Sequence, residues 1–222
     1  MTQAEARKAF DAELNKLQED LRKMGIVVEE MLGKAIQALA NQDVKLADEA
    51  IRMDDIVDRY NLDIEGRALK LLALQQPMAR DLRTIAAAMK IITDVERGGD
   101  YAVDIALMAK KLAGEPLFKP LEDIPKMAQM VQEMLRETLK AFISRDLKLV
   151  QHMISLDDNV DHLYNSLYDE LTGSVKKDPK LTDQAVGLLL IARYLERIAD
   201  HITNIGERIY YMETGELKEL HK

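Results

Sequence analysis

Two stretches decide the fold: Glu-Arg-Gly-Gly-Asp-Tyr-Ala-Val-Asp at Glu96–Asp104 and Glu-Arg-Ile-Ala-Asp-His-Ile-Thr-Asn at Glu196–Asn204, 100 residues apart. Both read E-R-x-x-D, followed four residues later by Asp or Asn. In a helix, positions i, i+4 and i+8 stack on one face, so each stretch presents a ladder of oxygen ligands along a helix. The flanking residues are those of a packed helix. Ile85, Met89, Ile92, Glu96, Gly99, Val103 and Leu107 follow steps of three and four, as do Ala185, Leu189, Ala192, Glu196, Ala199, Thr203 and Gly206. Glutamates therefore stand where aliphatic residues are expected.

Working outward, the same spacing recurs along the chain. Helical periodicity runs from Glu5 to about Ala40, from Val44 to about Leu74 and from about Met78 to Leu112. It resumes over Ile124–Ile143, Leu147–Leu171 and Leu181–Met212. Asp43 reads as an N-cap, Gln75-Gln76-Pro77 as a helix stop, and Ala113-Gly114-Glu115-Pro116 as a linker. Thr172-Gly173-Ser174 through Asp178-Pro179 reads as a second break.

The halves are copies. Glu30-Met31-Leu32 matches Glu133-Met134-Leu135, Asp43 matches Asp146, and Asp54-Asp55-x-Val57-Asp58 matches Asp157-Asp158-x-Val160-Asp161, each pair 103 apart. Asp81 pairs with Asp183 at 102, and the third helices align at 100. The expectation is an all-α fold of two tandem, internally duplicated three-helix bundles, residues 1–114 and 115–222.

The second helices carry acids too. A seam read as Ala47, Ile51, Asp54, Asp58, Leu62, Glu65, Leu69 and Leu72 is echoed by Val150, Ile154, Asp157 and Asp161. Each half thus offers D-x-x-x-D from one helix and E-x-x-x-D from another. Unpaired carboxylates buried together cost several kcal/mol each and raise one another's pKa, so they call for arginine partners or a bound cation. Arg52, Arg59, Arg80, Arg83, Arg97, Arg193 and Arg197 lie near enough in sequence to pair, although Arg97 and Arg197 directly follow the glutamates and are expected off the acid face. Recurrence of the whole set favours metal. An almost all-oxygen donor set suits hard cations: ferric iron, manganese, magnesium or calcium. His201, directly after Asp200, is placed to cap a metal site but is read chiefly as a surface or packing residue. Gly98-Gly99 leave room for a cluster or a close helix, or else for packing against Met or Tyr.

Composition narrows the class. The chain of 222 residues has a net charge of −8, no cysteine, few glycines and prolines, and 12 methionines best read as core filler. The charge argues against nucleic-acid binding, and the missing cysteines exclude disulfides and thiolate metal sites. No apolar run resembles a signal peptide or a membrane span, so the expected location is the cytoplasm, with membrane contact only through partners.

With the duplicated bundle and paired motifs, the sequence resembles the PhoU family of phosphate-uptake regulators. The resemblance rests on Leu74-Gln75-Gln76-Pro77…Asp81-Leu82-Arg83, Asp94-Val95-Glu96-Arg97-Gly98-Gly99-Asp100 and Tyr194-Leu195-Glu196-Arg197-Ile198-Ala199-Asp200-His201. It implies metal held by Asp54, Asp58, Glu96 and Asp100 in the first bundle and by Asp157, Asp161, Glu196 and Asp200 in the second, with iron foremost, since some members carry multinuclear iron clusters. It further implies an adaptor without catalysis, a negative regulator of the phosphate-starvation response. Its partners would be the ATPase subunit of a phosphate ABC transporter and a sensor histidine kinase; a homodimer is admitted, the oligomeric state being open. Asp104 becomes Asn204, and Glu65 becomes Tyr168, so the second site is expected to be poorer in acids. The competing classes are a chaperone-like helical interaction module and a carboxylate-bridged di-metal oxidase. The oxidase is disfavoured because no histidine has a Glu three residues before it.

Overall fold

The computed structural model describes residues 3–75 and 77–220. Helix α1 spans Gln3–Asn41, α2 Val44–Arg52, α3 Asp54–Gln75, α4 Ala79–Leu112, α5 Asp123–Ser144, α6 Leu147–Lys177 and α7 Thr182–Thr214. A 3-10 turn at Pro179–Leu181 precedes α7. Taken together, α2 and α3 fill the place of one expected helix, giving two tandem three-helix bundles. Gln76, inside the stop read from sequence, lies outside the described residues.

The duplication extends to backbone angles. Gln42 and Arg145 are twins, and both take left-handed backbone, φ 54° and 62°. The aspartate after each then caps the next helix. The Asp43 carboxylate accepts from the amides of Lys45 (2.9 Å) and Leu46 (3.1 Å), and the Asp146 carboxylate from that of Lys148 (2.9 Å). Replacing either by Ala is expected to cost about 1 kcal/mol. Asp43→Ala, losing two bonds, should cost more than Asp146→Ala in urea denaturation.

Two helix readings change. The second helix breaks at Met53, whose amide bonds back to Ala50 in a tighter turn while Ile56 bonds to Met53. This shifts the phase of everything beyond it. The buried face of α3 is Val57, Ile64, Ala68 and Leu71, whereas Leu62 and Leu69, read as seam, are exposed. Helix α6, in contrast, runs straight through the predicted break at Thr172-Gly173-Ser174. Gly173 faces open space, and the hydroxyls of Thr172 and Ser174 bond the carbonyls one turn back, at Tyr168 and Glu170. The break comes at Asp178, whose side chain caps the next turn at Lys180.

Long helices cross between the halves. Asp94 meets His201, Tyr101 stacks on Tyr194, and Leu112 lies against Gly187, so α4 and α7 run antiparallel. Their midpoint is Gly98, where an added Cβ would stand 3.8 Å from Ile198 Cγ2. Since Ile198 is the twin of Gly98, a pseudo-two-fold axis passes there. Helices α1 and α5 cross likewise, with Gly25 against Leu139, and the Glu29 carbonyl accepting from Gln132. Contacts of α1 with α4, α4 with α7, α7 with α5 and α5 with α1 close a square, with α3 packed on α1 and α4, and α6 on α5 and α7. One hydrophobic core runs through both halves, from Leu17 and Met31 to Phe142 and Ile191.

Candidate metal centres

Each acid set forms where an outer helix meets its inner neighbour, α3 on α4 and α6 on α7. Helix α3 packs on α4 beside Gly99. A Cβ there would lie 3.4 Å from Val57 Cγ1 and 3.6 Å from Asp54 Oδ1, so the Asp54 carboxylate sits directly over the α4 backbone. The neighbours of Gly98 and Gly99 are Val28, Ile198, Val57 and Asp54, not Met or Tyr.

Asp54, Asp58, Glu96 and Asp100 do come together. Burial pushes the Asp54 carboxyl above its ordinary range, and the charges of Asp58 and Asp100 add to it. Burial likewise raises Glu96, followed by Asp100, with Asp58 and Asp54 contributing and Arg97 opposing. Asp104 is raised by burial and then by Asp100, which places it next to the set. Glu65 is exposed on α3.

The second set follows the same plan with deeper burial. Asp157 is 7% exposed. Burial raises Glu196 most, then Asp200, with Asp161 adding and Arg193 and Arg197 opposing. One Glu196 oxygen takes a bond from Arg193 at 2.5 Å. The other, Oε2, is buried and unbonded.

The ladders lie at the rim of the core rather than inside the seam. Glu96, Asp100, Glu196 and Asp200 are half-buried, while Asp58 and Asp161 are exposed. The inner helices bury a wider arc than the narrow seam suggested, centred on Val95, Gly98 and Ala102 in α4 and on Leu195, Ile198 and Ile202 in α7. A helix with neighbours on several sides needs this width. The glutamates fall at its edge.

The arginines are also placed differently from the expectation. Arg97 donates to Asp100 at 2.7 Å and Arg197 to Asp200 at 2.9 Å, because residues three apart share a helix face even when adjacent ones do not. Arg80 and Arg83 point elsewhere, to Glu213 and to the Met212 carbonyl. Arg59 bonds the Asp55 carbonyl within its own helix.

His201 joins neither ladder. Its Nδ1 pairs with Asp94 Oδ1 at 2.9 Å across the α4–α7 crossing, and Asn204 donates to the same oxygen at 3.5 Å. Tyr101 lies 5.8 Å from both the Tyr194 and the His201 rings. This polar and aromatic belt beside the pseudo-axis was not found from the sequence. The available signal was the mismatch of twins: Asp94 answers to Tyr194, and Tyr101 to His201.

The PhoU domain matches twice, over residues 21–109 and 124–209. The chain belongs to the PhoU family. It is 42% identical over 205 residues to the phosphate-specific transport system accessory protein PhoU homolog of Aquifex aeolicus, covering 92% of this chain and 93% of that one. To the same-named protein of Clostridium acetobutylicum it is 37% identical, covering 96% and 98%. The crystal structure of PhoU from Pseudomonas aeruginosa superposes with a TM-score of 0.88 at 32% identity, covering 93% of this chain and all of that one. That of the phosphate transport system regulatory protein PhoU from Streptococcus pneumoniae gives 0.87 at 33%, covering 94% and 99%.

The acids on this PhoU framework fit a cation. The two sets are oxygen donors whose neighbouring charges help to raise Asp54, Glu96 and Glu196, and the orphaned Glu196 oxygen is an acceptor that a cation would satisfy. Among the described residues no helix is long and apolar enough to cross a membrane.

Proposed function

We propose that this protein is the metal-binding accessory regulator of a phosphate-specific transporter, a negative regulator of the starvation response without a reaction of its own. It would link the transporter's ATPase subunit to a sensor histidine kinase at the cytoplasmic face of the membrane. The observation that carries this reading is the match to PhoU over nearly the whole chain, with an acid set in each half. Relatives across that length are named as accessory proteins of phosphate-specific transport.

Asp54, Asp58, Glu96 and Asp100 would hold metal in the first bundle, and Asp157, Asp161, Glu196 and Asp200 in the second, with iron first among the candidates. The cation would supply positive charge between two helices that otherwise repel. The chain's own part is to pack α3 on α4 beside Gly99, and to keep Arg97 and Arg197 each on one carboxylate oxygen of Asp100 and Asp200.

Deleting the gene in its host should leave secreted phosphatase high even in rich phosphate, and complementation should restore repression. Repression that persists in the deletion strain would refute the regulatory reading. A pull-down from phosphate-replete cells should recover the transporter ATPase and the kinase; recovery of neither would remove the adaptor role.

A further inference from the structure

The two halves also differ at a third cluster, on the outer face between the first helix of each half and the helix after it. In the first half, Lys34 on α1 stands between two carboxylates. Its ammonium is 2.9 Å from Glu49 on α2 and 3.9 Å from Glu30, one turn earlier on α1. Two acids share one cation, so the triad keeps one negative charge over.

The twins of Glu30, Lys34 and Glu49, at the same offset of 103, are Glu133, Glu137 and His152. The first carboxylate is kept. The lysine has become a second carboxylate, and the facing glutamate has become a histidine. Glu133 and Glu137 stand one turn apart on α5, and His152 reaches them from α6, with its Nδ1 2.5 Å from Glu137 Oε2. One ligand atom from each of the three lies within 4.8 Å of the others. Position 34 supplies a cation in one half, and its twin supplies an anion in the other. The place of the ammonium charge is left for something else.

A proton on the imidazole restores the same charge balance, two acids and one cation. The bond to Glu137 and the charges of Glu137 and Glu133 hold the imidazole toward its protonated form. A divalent metal ion is the better match, because both carboxylates and the imidazole nitrogen are ligands for it, whereas one proton serves a single pair. We infer that Glu133, Glu137 and His152 form a binding site for a divalent first-row transition metal, zinc above all, distinct from the two acid ladders. One nitrogen and two oxygens suit zinc, whose bonds to both are about 2.0–2.2 Å. Two donors on one such ion stand no more than about 4 Å apart, so closure needs only a small rotation of the half-buried glutamates. His152 is 51% exposed on its side chain, which leaves the outer coordination positions to water. The ladders, by contrast, contain no nitrogen donor.

The test uses the full chain, stripped by chelation and titrated with zinc chloride against a competing chromophoric chelator. Three proteins are compared: the parent, His152→Ala, and the double variant Glu137→Lys/His152→Glu. The double variant rebuilds the Lys34–Glu49 pairing of the first half, so it should fold and melt like the parent while having no vacancy for a cation. Both variants should bind one zinc fewer per chain, or bind that zinc at least ten-fold more weakly. In the parent, the ring signals of His152 should shift on the first equivalent of zinc. Equal stoichiometry and affinity in all three proteins, or His152 signals that zinc leaves unmoved, would overturn the assignment and leave a protonated histidine paired with Glu137.

Discussion

Asp58→Asn/Glu96→Gln is expected to lose the metal of the first bundle, keep its helix content and, without metal, melt higher than the parent at neutral pH. The two halves of this result have one cause. Asp54 and Glu96 are raised by burial and by their neighbours' charges, so in the metal-free chain their ionisation opposes folding. An acid with a raised folded-state pKa holds its proton to higher pH in the native chain than in the unfolded one. Between those two values the native state binds more protons, and stability falls as pH rises; below the ordinary carboxylate range the effect vanishes. Removing two of the four charges should flatten that slope and gain about 1 kcal/mol at pH 7.

With metal present the order reverses. A ligand at 100 times its dissociation constant stabilises the parent by about 2.7 kcal/mol, and the variant should gain none of this from the first site. Protons compete with metal for the same oxygens, so the parent's metal-dependent stability should decline as pH falls through the raised pKa values. Metal analysis by mass spectrometry and melting curves from pH 5 to about pH 8, with and without chelator, read both effects. A full metal complement in the variant would sink the assignment of these residues. Glu196→Gln gives the matching experiment in the second bundle, where one carboxylate oxygen is buried and unbonded.

The parts of this molecule that were legible in the sequence are those written locally. Helix caps depend on a single aspartate: Asp43 acts as a cap as read, and its twin Asp146 does the same. The copy relationship survives in register, so the six-part architecture follows from counting offsets. Phase across a break is less legible. A single tightened turn at Met53 rotates α3, and the expected seam residues Leu62 and Leu69 emerge on the surface. Partners that depend on crossing helices are not written locally at all. That Asp94 meets His201, or that Glu137 meets His152, follows from how α4 lies on α7 and α5 on α6. The arginine geometry was open to correction by helix arithmetic alone, since i and i+3 share a face whichever way residue i+1 points.

Gly98 gives the sharpest test of how the halves are held together, because two substitutions there should move stability in opposite directions. It lies in the middle of α4, where glycine costs up to about 1 kcal/mol relative to alanine. An added methyl would stand 3.4 Å from Val28 Cγ1 and 3.8 Å from Ile198 Cγ2, both ordinary contacts. Gly98→Ala should therefore stabilise by as much as about 1 kcal/mol, a rise in Tm of about 2–4 °C for a chain of this size. Gly98→Leu places three further carbons between α1, α4 and α7, where Val28 and Ile198 are each 1% exposed and have no room to yield. It should cost about 1–3 kcal/mol and lower Tm accordingly. Gly99→Ala separates packing from site chemistry. It should match Gly98→Ala in stability, but its methyl lies 3.6 Å from Asp54 Oδ1, so it alone should alter metal affinity in the first bundle. If Gly98→Leu melted with the parent, the close α4–α7 crossing would not be what joins the halves. If both alanine variants bound metal like the parent, Gly99 would be a packing residue and Asp54 would have space to spare.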